Sequence, residues 1–156
     1  MCPVKPIDVL FCSTSCQGLS KMNDTPGQSV QTFNGLCRLL EARSPDFLFF
    51  ESVEDMADEK EKTGTSDLDI AKQRLKALGY EVQVIICNSL VFGLPQSRYR
   101  HFIVAINGRD PKTIELSERS ISEVFASFSA LLKVCERKAE CASKFLLADD
   151  DPHVLQ

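Results

Sequence analysis

Residues 7–20 read I-D-V-L-F-C-S-T-S-C-Q-G-L-S. A short apolar run, Ile7 to Phe11, stops at small polar residues. An apolar run of this length with turn formers behind it reads as a buried strand, residues 7–12, of a parallel sheet. The loop that follows, 13–27, contains Ser, Thr, Gly, Asn, Asp and Pro, all turn residues. It carries a cysteine, Cys16, with Gln17, Gly18 and Ser20 around it. A strand that ends this way delivers a thiol to the mouth of a sheet.

Outward from this stretch the chain alternates. From 28 to 43, Val30, Phe33, Leu36, Cys37 and Leu40 fall at helical spacing. Ser44-Pro45 ends that helix, because a residue before proline is pushed out of the helical region. Phe47 to Phe50 is a second apolar strand, ending at Glu51. Residues 54–66 are acidic and then rich in Gly, Thr and Ser, which reads as a surface loop. Ser66 with Asp69 marks a helix start, Leu68, Ala71, Leu75 and Leu78 give its apolar stripe, and Gly79 its end. Tyr80 to Cys87 is a strand, Leu90 to Pro95 a connection, and His101 to Ile106 a further strand before an Asn107-Gly108 turn.

This order predicts an α/β fold with a mostly parallel sheet. The last two strands have no helix between them, so they should pair antiparallel. Beyond 110 the spacing predicts a helix from Ser120 through Cys135, a more polar helical stretch to about Leu147, and a disordered tail. The chain therefore divides into residues 1–110, which carry the motifs, and a helical extension, 111–156.

Composition bounds the function classes. The chain has 156 residues, enough for one domain with a core. No apolar run approaches the roughly 20 residues needed to cross a bilayer, and the N-terminus lacks the pattern of a secretory signal. Seven cysteines, an odd number without a C-x-x-C, read as free thiols and not as a zinc site. The net charge of −4 argues against strong non-specific binding to nucleic acid. It is unevenly spread, however: residues 71–110 are basic and include Arg98, Arg100 and Arg109, which leaves a local anion-binding edge.

Three stretches carry chemistry: S-C-Q-G-L-S at Ser15 to Ser20, E-S-V at Glu51 to Val53, and G-L-P-Q-S-R-Y-R-H-F-I-V-A-I at Gly93 to Ile106. Alone, each has a bland reading as a loop, a strand end and a solvated basic turn. In this order they resemble the P-C-Q, E-N-V and Q-x-R-x-R motifs of the DNA cytosine-5 methyltransferase family. The resemblance covers roughly residues 5–107. It implies part of a Rossmann-like, S-adenosylmethionine-dependent methyltransferase fold, with DNA as the partner and an RNA substrate as the alternative. It also implies a protein of the nucleus or another intracellular compartment.

By this resemblance Cys16 is the nucleophile that adds to carbon 6 of cytosine. Glu51 supplies the acid near nitrogen 3. Arg100 holds oxygen 2, with Arg98 and Gln96 supporting the site or the DNA backbone. Gln17 and Ser20 touch the backbone around a flipped-out nucleotide. Two residues depart from the pattern: Ser15 stands where the family has proline, and Ser52 where it has asparagine. The Gly-rich turn and ribose-binding acid that would seat the methyl donor have no counterpart here, and neither does the target-recognition region. A companion N-terminal half is one expectation that follows. A catalytically inactive remnant that binds nucleic acid or protein is the other.

Overall fold

The structure, a computed structural model, describes residues 7–13, 28–59, 64–109 and 119–146. Four strands, β1 (Val9–Ser13), β2 (Phe47–Val53), β3 (Tyr80–Asn88) and β4 (Tyr99–Asn107), form one sheet in the order β1-β2-β4-β3. β1 and β2 pair in parallel, and β4 runs antiparallel to both of its neighbours. Three strands therefore share one direction and the last opposes them, as the missing helix between β3 and β4 predicts.

The two connecting helices are α1 (Gln28–Arg43) and α2 (Asp67–Ala77). Both crossovers step in the same direction along the sheet, which places both helices on one face when crossovers share a hand. The core confirms that side: Leu36 and Leu40 of α1, with Ala71 and Leu75 of α2, cluster with Leu48, Phe50, Ile103 and Ala105 of the sheet. The intervening residues face the other way. There a third helix, α3 (Ile121–Val134), crosses the sheet, with Phe128 edge-on to Phe49 and the Gln83 amide donating to the Ser129 hydroxyl.

Local signals explain the helix ends. The Ser66 hydroxyl accepts from the Asp69 N–H, and α2 ends at Leu78 before Gly79, whose φ of 89° needs glycine. α3 begins in a capping box in which Ser120 and Glu123 satisfy each other's backbone N–H groups.

Four expectations need correction. Among the described residues β1 is an edge strand and not a buried one: Val9 and Phe11 are 44% and 74% exposed, and β2 is the one described strand that pairs with it. β2 does not end at Glu51 but runs on to Val53, since β4 supplies hydrogen-bonding partners opposite Ser52 and Val53. The loop 54–66 is not featureless, for Glu54–Ala57 makes a 3-10 turn that buries Met56. The polar helix after α3 is absent as well. Arg137 bridges to Phe92, and only a single turn, Ala142–Phe145, follows. That stretch takes its backbone partners from the β3–β4 loop, so helix propensity does not decide it. The predicted tail, 147–156, lies outside the described residues.

Tyr80 ties the start of β3 to the end of α1. It is buried, and its hydroxyl donates to the Pro45 carbonyl at 2.8 Å. Burial, aided by the Asp46 charge, pushes its phenol from an ordinary 10.0 to about 12. A phenol raised in the folded state contributes its full stability below pH 10 and loses it as pH rises toward 12. Tyr80→Phe should therefore cost roughly 1–3 kcal/mol at pH 7 through the unpaired carbonyl. Urea denaturation at pH 7 and 10.5 checks this. The gap between wild type and variant should narrow at the higher pH, and an unchanged or wider gap contradicts it.

Candidate functional site

The C-terminal ends of β1 and β2 lie side by side, with Ser13 in register with Glu51. Glu51 has the same parity as Phe49, so its side chain leaves the sheet on the α3 face. Phe11, Cys12, Ser13, Phe49, Glu51, Phe102 and Phe128 line a cleft of about 830 Å³ there. Its floor is aromatic: the Phe11 and Phe49 rings stack with centroids 4.8 Å apart and 13° between planes. A second, wholly apolar recess of about 330 Å³ continues from it beneath α3, sharing Phe49, Phe102 and Phe128.

Arg100 reaches Glu51 from the start of β4. β4 lies next to β2, and Val53 is in register with Arg100 while Glu51 is in register with Phe102, so the two side chains meet diagonally on one face. The Arg100 Nε lies 2.9 Å from Glu51 Oε1. The N–H nevertheless does not point at the oxygen: Nε is buried and makes no aligned hydrogen bond. The Arg100 Nη1 donates to the Tyr99 carbonyl at 2.6 Å. A half-buried pair of this kind is worth at most about 1 kcal/mol, so it is a poor device for holding the fold together. It does keep a carboxyl group and a guanidinium within one small ligand's width of each other.

The other expected residues divide into two sets. Gln96 and Arg98 stand on the exposed β3–β4 loop. Cys16, Gln17 and Ser20 lie outside the described residues, three to seven positions after Ser13. Cys12, which is described, borders the cleft from β1, but its side chain packs against the core on the other face, and burial pushes its thiol up to about 11. That makes it a poor nucleophile near neutral pH.

One buried polar residue on the opposite, inner face of β4 escaped the sequence reading. His101 looks like an ordinary strand residue, yet it is 3% exposed, and its Nδ1 lies 3.4 Å from the Val53 carbonyl. A lone histidine inside the apolar run H-F-I-V-A-I was the only available signal. His101 stands in register with Ser52 on the inner face. Ser52 is 2% exposed, and its hydroxyl has no hydrogen-bond partner among the described residues. An unpaired buried hydroxyl costs roughly 1–3 kcal/mol. Ser52→Ala should accordingly leave stability unchanged or raise it by up to about 1 kcal/mol. A fall in urea midpoint equivalent to more than that would show that the hydroxyl has a partner.

Comparison with known proteins agrees with this geometry. The sequence model of the family described as C-5 cytosine-specific DNA methylase matches residues 2–140. The type II methyltransferase M.DdeI of Desulfomicrobium norvegicum is 28% identical over 140 residues, which are 82% of this chain and 34% of that protein. M.NgoBV of Neisseria gonorrhoeae is 31% identical over 111 residues, 64% of this chain and 25% of its own length. The chain thus spans about a third or less of the length of these curated relatives. Among solved structures, a DNA modification methyltransferase encoded within a prophage (E. coli) superposes with a TM-score of 0.51 at 24% identity. That match covers 66% of this chain and 27% of the other. The S. pombe Dnmt2 methyltransferase gives 0.50 at 21% identity, over 76% and 33%. At these identities the two structures establish a shared fold.

Proposed function

We propose, because the chain belongs to the C-5 cytosine-specific DNA methylase family, that it carries the base-activating part of a cytosine-5 methyltransferase site acting on DNA. The observation that carries this reading is the meeting of Glu51 and Arg100 at the cleft where β1 ends. In the sequence Cys16 follows Ser13, the strand residue in register with Glu51, by three positions.

Carbon 5 of cytosine is too weak a nucleophile to take a methyl group unaided. When the Cys16 thiolate adds to carbon 6, a C–S bond forms and the C5=C6 electron pair moves to C4–C5. Charge then collects on nitrogen 3, and carbon 5 becomes enamine-like and reactive. Glu51 offers a carboxyl group to donate a hydrogen bond or a proton at nitrogen 3. Arg100, already beside Glu51, offers a guanidinium to oxygen 2. Gln96 and Arg98 on the neighbouring loop, with Gln17 and Ser20 that follow β1 in the sequence, are the residues this reading assigns to the backbone of a flipped-out nucleotide.

The methyl group in this family comes from S-adenosylmethionine. The described residues do not make a seat for it: their glycines, at 35, 64, 79, 93 and 108, include none that opens a helix directly after a strand. The donor is therefore held elsewhere, either by residues outside the described ones or by a companion polypeptide such as an N-terminal half. On this reading the protein would act where its DNA is, in the nucleus or another intracellular compartment.

The test is covalent trapping. With S-adenosylmethionine and the donor-binding portion supplied, a duplex containing 5-fluorocytosine should form a denaturant-stable adduct with this chain. Cys16→Ala should abolish it, and Glu51→Gln should slow it by about 10²–10⁴-fold. No adduct with the donor-binding portion present would refute the reading.

The unpartnered Ser52 hydroxyl favours a second reading, a non-catalytic chain that only binds nucleic acid. In that case the Arg98→Ala/Arg100→Ala variant should bind DNA more weakly, with a salt slope smaller by roughly two. Unchanged binding would rule this version out. The same assay on a transfer RNA decides whether RNA is the substrate.

A further inference from the structure

The loop that carries Gln96 and Arg98 is built around Asn88, the last residue of β3, which is 9% exposed. The Asn88 Oδ1 accepts from two backbone N–H groups, those of Leu90 and Arg98, each at 3.0 Å. Its Nδ2 donates to the Ser97 hydroxyl at 3.1 Å. One carboxamide thus joins the near end of the loop to its far end. Ser89 repeats the tie: its N–H donates to the Arg98 carbonyl at 3.1 Å, and its hydroxyl donates to the Gln96 carbonyl. Arg98 is held at both its backbone N–H and its carbonyl while its side chain stays in solvent.

The outer side of the loop is held by a separate segment. The Arg137 N–H donates to the Val91 carbonyl at 2.8 Å, its Nε donates to the Phe92 carbonyl at 3.1 Å, and the Glu140 N–H donates to the Gly93 carbonyl at 3.1 Å. Gly93 has φ of 92°, and a Cβ there would fall 2.5 Å from the Arg137 Nε. The glycine therefore allows both the turn and the close approach of Arg137.

We propose that Asn88 is a positioning residue that presets the arginine loop for nucleic acid, with residues 137–140 as a second strap on the same loop. The proposal rests on the function given above. Capping the 3-10 turn at 89–91 would need only the bond to Leu90. The bond to Arg98, ten residues on, has no capping use and closes the loop. A loop ordered in advance leaves less entropy to be lost when the ligand arrives. The clamp adds no charge, so removing it should weaken binding without changing how binding depends on salt.

The test combines amide hydrogen exchange on the full chain with binding of a short DNA duplex at several salt concentrations. Asn88→Ala should speed exchange at the Leu90 and Arg98 amides by about tenfold or more and leave Val104 and Leu75 as in wild type. Its DNA affinity should fall several-fold at an unchanged salt slope. Asn88→Asp keeps the accepting oxygen and should recover most of both effects. Gly93→Ala should speed exchange at Arg137 and Glu140 while sparing Arg98. Wild-type exchange at Arg98 in Asn88→Ala overturns the proposal. So does an Asn88→Asp variant no better than Asn88→Ala, which would also expose a purely structural role if Asn88→Ala fails to fold. A wild-type chain that binds no DNA refutes the proposed function and not the clamp, which the exchange rates then decide alone.

Discussion

The site depends on β4 entering the sheet between two strands that precede it in the chain. β2 and β3 run in the same direction and would be neighbours in a simple succession of crossovers. β4 separates them and pairs with both, in register from Tyr99 to Asn107 on one side and from Arg100 to Ile106 on the other. Ile103 to Asn107 are buried without interruption. That burial accounts for the apolar run F-I-V-A-I, since a central strand covered on both faces has no reason to alternate. The same insertion sets Arg100 diagonally across from Glu51. A slip of one residue in this pairing would turn Arg100 into the core and His101 into the cleft, so the packing of Ile103 and Ala105 fixes the position of the guanidinium.

The groups of the site are held by geometry more than by strong bonds. The Glu51–Arg100 pair lacks an aligned hydrogen bond, and the Phe11 ring is largely exposed on a strand at the edge of the described sheet. The stabilising interactions lie on the opposite face, where α1 and α2 bury Leu40, Leu75, Leu48 and Phe50. Separating a dry, well-packed face from a loosely satisfied one is what a chemical site requires, because polar groups already saturated by one another have nothing left for a ligand.

Elements whose cause is local were legible in the sequence. The caps at Ser66 and Ser120, the stop at Gly79, the periodicity of Phe33, Leu36 and Leu40, and the antiparallel return of β4 all follow from short-range rules. The motifs led to the expectation that Glu51 and Arg100 act on one base, whereas the contact between the two side chains had no signal in the sequence. What escaped was set by distant partners. Glu51 lies inside β2 and not at its end because β4 extends the ladder. Residues 136–140 are not helical because the loop at 91–93 accepts their hydrogen bonds. Asn88 gave no sequence signal beyond ending a strand, since its role is defined by an amide ten residues away.

The central claim is that the insertion of β4 makes Glu51 and Arg100 a single unit acting on one base. The most direct measurement is a double-mutant cycle on the rate of covalent adduct formation, using Glu51→Gln, Arg100→Ala and the double variant. Two groups working together on one ring should be strongly coupled, so the double variant should be little slower than the worse single one. Rate losses that multiply would mean that the two side chains act independently, and the account would be wrong.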